Sequence, residues 1–223
     1  MYKWDCQAEL NDNKYYNINQ SIVRIIENIR NSPDDHVCMY DCLVQHIEEV
    51  DSAEYQGRYK KYWGIRRWRG DAWCDAYFQR LKAAIGNVQI NLEDLLLDMH
   101  KIPTNRKKTH AIDFSFCSKL CHMQCRDLPI YDSKISTFYQ YKSNLYSTNR
   151  VQEFMGFYRF LINEYERILT EELLAVSIDK FKNDLHPIHF TDKKIIDSLI
   201  WASGINPARL ATLYPRKTDP TPK

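Results

Sequence analysis

HAIDFSFCSKLCHMQCRDLPIYDSKI, residues 110–135, sets helical spacing and a chemical pair side by side. From Asp113 to Cys125, Phe116, Leu120 and Met123 fall on one side with Cys117, Cys121 and Cys125 four apart beside them, which predicts a helix with an apolar face. The other face collects Ser115, Ser118, Lys119, His122 and Arg126. At 1.5 Å of rise per residue, Lys119 lies roughly 9 Å below the end of such a helix. The six residues that follow span up to about 20 Å when extended, so the chain can return and set Asp132 beside Lys119. An amine in an apolar cleft can lose its proton and attack an electrophilic carbon, while a nearby carboxylate stabilises developing positive charge. Plainer readings stay open: Lys119 as a solvated helix lysine, and Asp132 as the N-cap of the next helix.

Outward from this stretch, charge is segregated although the net charge is only +2. Eight Lys and Arg lie between Arg58 and Lys82 against Asp71 and Asp75, while Glu27 to Asp51 carries seven acids against Arg30. A basic face opposite an acidic one suits a polyanion. Trp63, Trp68 and Trp73 interleave with Arg66, Arg67 and Arg69, a pattern that can grip phosphates while rings stack on bases. Trp73, Tyr77 and Phe78 are expected in the core; Trp68, Arg66, Arg67 and Arg69 are expected nearer the surface.

No segment alternates as a strand, so the chain reads as all-α. Ile18, Ile22, Ile25, Ile26 and Ile29 mark one helix, preceded by a polar arm over residues 1–16; a second runs from Asp34 or Asp35 to about Val50. A helix resumes after Gly70, Asn91 caps another to His100, and one follows Asp132 to about Tyr141, before Tyr139, Tyr141 and Tyr146 in a polar loop. Val151 to Leu169 is the clearest amphipathic helix, Thr170 is placed to cap the next, and Phe190 to Ser203 is the last, closed by Gly204. Residues 1–205 are expected to form a single helical domain and 206–223 a basic, Pro-containing tail. His36, Cys38, Cys42 and His46 have the spacing of metal ligands, but Met39, Leu43 and Ile47 beside them favour thiols buried in a core stripe, so no metal is expected. Seven cysteines with no apolar run long enough for a membrane span predict reduced thiols and a cytoplasmic protein.

The runs SerPheCysSerLysLeuCysHisMet and LeuProIleTyrAspSerLysIle resemble the active-site segment of helix-hairpin-helix DNA glycosylases of the 8-oxoguanine type, and most of all their compact bacterial branch. The resemblance covers about 25 residues well, and more loosely TyrTrp at 62–63 and TyrPheGlnArgLeu at 77–81. It implies a helical bundle in two lobes with a cleft between them and a helix-hairpin-helix-like element, with residues 91–100 as its first arm, 101–111 as the hairpin and the Lys119 helix after it. By position, Lys119 matches the Schiff-base lysine and Asp132 the essential aspartate. The family's hairpin glycines are absent here, so phosphate contact would rest on Arg106, Lys107 and Lys108, with His122 and Tyr131 beside the substrate. The implied activity is excision of a damaged or modified base from double-stranded DNA, for repair or against modified phage DNA, by a monomer without a cofactor. The rival expectation is an all-α nucleic-acid-binding module without catalysis.

Overall fold

A computed structural model describes residues 8–32, 35–65, 69–85, 90–104, 109–142 and 149–204. Among them the chain forms eleven α-helices and one short 3-10 turn at Ile47–Glu49, with no strand. The helices are α1 Ala8–Gln20, α2 Ile22–Arg30, α3 His36–Gln45, α4 Ala53–Trp63, α5 Asp71–Ile85, α6 Leu92–His100, α7 Phe114–Gln124, α8 Ser133–Phe138, α9 Arg150–Thr170, α10 Ala175–Leu185 and α11 Asp192–Ser203. None is long and apolar enough to cross a membrane.

Local sequence explains most boundaries. In α2 the four isoleucines at 22, 25, 26 and 29 all turn inward. Asn91 Oδ1 accepts from the amides of Glu93 and Asp94, and Thr191 caps α11 through Lys194 N. Helix α4 ends where Gly64 takes φ +71°, a conformation that an L side chain rarely adopts. That turn leaves the carbonyl of Trp63 at the open C-terminal end of α4.

Buried side chains of all eleven helices join in one hydrophobic cluster. Helix α11 packs against α1, α2, α8, α9 and α10, whereas α5, α6 and α7 pack on one another. Helices α6 and α7 flank a loop whose ends are tied by Thr104 N donating to Thr109 O at 2.8 Å.

Several expectations need correction. Residues 8–16 belong to α1 and are no extended arm: Asn11, Tyr15 and Ile18 are buried, and Asn11 and Tyr15 bond to Glu164 of α9. Helix α9 runs through Thr170, so that residue caps nothing, and α10 begins only at Ala175 without a side-chain cap. Cys38 is exposed and Cys42 half-buried, so the thiols of α3 lie outside the core stripe. No group of His, Cys, Asp and Glu among the described residues could hold a metal ion. Tyr139 and Tyr141 follow α8 in the loop expected for them, but both are buried in the core. The largest difference concerns α7, which is covered nearly all round: Ser118, Lys119 and His122 of its polar face are buried. The tail beyond residue 204 lies outside the described residues.

Candidate active site

The turn between α7 and α8 is pinned to its surroundings at three points. His122 Nδ1 donates to Leu128 O at 2.7 Å, Tyr158 of α9 donates to Pro129 O at 2.9 Å, and Tyr131 N donates to Ser118 Oγ at 3.1 Å. The last bond joins the neighbour of Lys119 to the neighbour of Asp132, thirteen positions apart, and so draws the two candidate residues into electrostatic range of each other.

Asp132 is half-buried. Its Oδ1 accepts from Lys134 N at 2.8 Å and Ile135 N at 2.9 Å, capping α8 as the sequence predicts. Its Oδ2 receives no hydrogen bond among the described residues, so one carboxylate oxygen is left for a ligand.

Lys119 is 7 % exposed, and the solvated-lysine reading fails. Its Nζ donates to Trp63 O at 3.3 Å, the carbonyl left open by the Gly64 turn, and stands 5.6 Å from the Trp63 ring centre and 5.1 Å from that of Phe116. It forms no ion pair among the described residues. Burial lowers its pKa from the ordinary 10.5 to about 8; the charges of Asp132 and Asp197 oppose the shift and that of Lys194 assists it.

The remaining candidates fall into three groups. His122 is buried with both ring nitrogens engaged: Nδ1 as above, Nε2 with the Tyr40 hydroxyl at 2.7 Å. Burial and the charge of Lys194 push its pKa down to about 3, so it is a neutral ring. Tyr131 is half-buried, its ring packed against Phe114 and Phe157. Arg69 is no surface residue: it meets Asp113 through two hydrogen bonds of 2.6 and 2.5 Å and lies over Trp73 and Phe116. This corrects its expected place near the surface: its guanidinium is engaged with a buried carboxylate. Trp73, Tyr77 and Phe78 are core, as expected. Arg66, Arg67, Trp68, Arg106, Lys107 and Lys108 lie outside the described residues.

Sequence reasoning missed two residues. Lys194 and Asp197, one turn apart on α11, are both buried, and Lys194 Nζ donates to Asp197 Oδ2 at 3.0 Å. Lys194 stands among the rings of Tyr40, Trp63 and Phe190. Burial raises the Asp197 carboxyl to about 6, against the pull of Lys194. The only available signal was a charged pair set among Ile195, Ile196, Leu199 and Ile200, which a solvated helix face also produces.

Chemically, the arrangement offers a desolvated amine beside the Trp63 and Phe116 rings, a carboxylate with one oxygen that meets no hydrogen bond among the described residues, and the buried pair of Lys194 and Asp197 beside Tyr40, Trp63 and Phe190. No family model matches the chain, and no curated protein or solved structure matches it either.

Proposed function

We propose that the protein is a DNA glycosylase that removes a damaged or modified base from duplex DNA, with Asp132 and Lys119 as its catalytic residues. The observation that carries this reading is the pinned α7–turn–α8 unit, which brings a buried amine beside the Trp63 and Phe116 rings within electrostatic range of a half-buried carboxylate. The flanking α6 and α7 would act as the helix-hairpin-helix-like element, the aromatic region would open into a cleft between two lobes, and the basic segments 66–69 and 106–108 supply charge for the phosphates, Arg69 excepted.

The base must leave the stack to be reached. Asp132 Oδ2 would stabilise positive charge at C1′ as the glycosidic bond lengthens, and the bonding electrons would depart with the base, which takes up a proton. Neutral Lys119 would then form the N–C1′ bond; opening of the sugar gives an imine, and β-elimination of the 3′ phosphate nicks the strand. With a pKa of about 8, roughly one Lys119 in ten is neutral at pH 7, far more than for an ordinary lysine. Because the amine is only 7 % exposed, attack by Lys119 follows an opening that uncovers it. Without that opening, water held by half-exposed Asp132 attacks instead, and the product is an abasic site.

Asp132→Asn tests the reading cleanly, since asparagine caps helices as well as aspartate and keeps the Oδ1 acceptor. Base release from damaged or phage-derived duplexes, scored as alkali-labile sites, should fall by at least about 10²-fold with DNA affinity nearly unchanged. Borohydride should trap a covalent adduct with the wild type and none with Lys119→Gln. A wild type that binds DNA but frees no base from any modified duplex leaves the non-catalytic binding module as the better account; the bond from Lys119 to Trp63 O is then simply structural.

A further inference from the structure

Two buried ammonium groups share one indole. Lys119 Nζ stands 5.6 Å from the centre of the Trp63 ring and Lys194 Nζ 5.5 Å from it. Their partners are unequal. Lys194 has a carboxylate oxygen in contact, Asp197 Oδ2 at 3.0 Å, and the rings of Tyr40 and Phe190 at 5.1 and 5.8 Å complete its surroundings. Among the described residues Lys119 has only a peptide carbonyl, at 3.3 Å. Asp197 is itself buried, and its Oδ1 has no hydrogen-bond partner among the described residues. A buried ion pair among apolar neighbours adds little to stability and is often replaceable by packed hydrocarbon, so the fold alone does not call for this one. A cation beside a desolvated lysine, in contrast, is a known physical means of making that lysine nucleophilic.

We infer that Lys194 is a positioning residue for Lys119: its positive charge, locked by Asp197 against the Trp63 ring, disfavours a second proton on the neighbouring amine. The inference takes from the proposed function only the reading of Lys119 as the amine that must shed its proton. Four groups bear on Lys119 from the elements around it. The Trp63 carbonyl from α4, Asp132 at the start of α8 and Asp197 from α11 favour its charge, while Lys194 from α11 opposes it along with burial. Asp132 Oδ1 accepts from two backbone amides, and Asp197 Oδ2 accepts from Lys194.

The test is a pH titration of the full chain carrying ¹³C-labelled lysine, followed by NMR at the ε carbon, with the Lys119 resonance assigned by its loss in Lys119→Met. Removing the neighbouring cation in Lys194→Met should raise the Lys119 midpoint. Asp197→Asn should lower it, and Lys194→Arg should leave it in place. A Lys119 midpoint that stays put in Lys194→Met, or that falls, overturns the inference and makes the pair purely structural. Should Lys194→Met fail to fold, an unmoved or raised midpoint in Asp197→Asn overturns it equally. No DNA enters this experiment. Shifts of the expected sign in a protein that frees no base from DNA would therefore uphold the inference and remove the glycosylase reading.

Discussion

Lys119 destabilises the fold it belongs to. Its folded pKa of about 8 lies below its ordinary 10.5, so the unfolded chain binds more protons between those values and stability rises with pH across that window. The penalty is fully present below pH 8. Lys119→Met should therefore stabilise the protein at pH 7 by on the order of 1–3 kcal/mol, with the advantage shrinking from pH 8 to 10.5, as denaturant melts at several pH values will read. Under the proposed function, trapping by the wild type should climb close to tenfold per pH unit up to about pH 8 and then level off. A flat profile over that range would mean that Lys119 is not the attacking amine. Asp132 was legible in the sequence because its capping partners are two and three positions away. The state of Lys119 was not, because it is set by Trp63, Asp132, Lys194 and Asp197, brought in from three other elements.

Helix α7 is held at its N-terminal end by the buried pair of Arg69 and Asp113, side chains 7 % and 9 % exposed. Burial raises the Asp113 carboxyl while Arg69 draws it down, so the pair stands only as a pair. Arg69→Met alone should cost about 3–5 kcal/mol, and Arg69→Met with Asp113→Leu should recover much of the loss, since removing both charges leaves no buried one uncompensated. Chemical denaturation of the two variants against the wild type measures this, and equal losses in single and double variants would contradict it. The same pair shows why one prediction missed. Interleaved arginines and tryptophans look alike whether the guanidinium meets phosphate or a carboxylate 44 positions away, and only the fold brings Asp113 to Arg69. Periodicity did find α2, α5, α6, α9 and α11, where a simple apolar stripe faces the core. It found α7 as well, but not that the helix's polar face is covered by remote elements.

At the scale of the molecule, Glu164 gathers the first helix onto the long ninth. It accepts from Tyr15 at 2.7 Å and Asn11 at 3.2 Å and pairs with Arg167, which in turn reaches Asp12. Glu164→Ala should cost about 3–5 kcal/mol and free the amides of α1 to exchange with deuterium well before those of α9. Exchange that stays uniform across both helices would show that apolar contact alone seats α1. That helix escaped the sequence reading because its inward face carries polar groups, whose burial makes sense only once their partners on α9 are in place. The all-helical class was legible from the absence of alternating segments, whereas the assembly of the site from α4, α7, α8 and α11 was not. Trp63 has a consequence of its own. An indole flanked by two ammonium groups emits light according to the field they impose, so any ligand that displaces either amine should change its fluorescence, giving the protein a built-in optical gauge of occupancy.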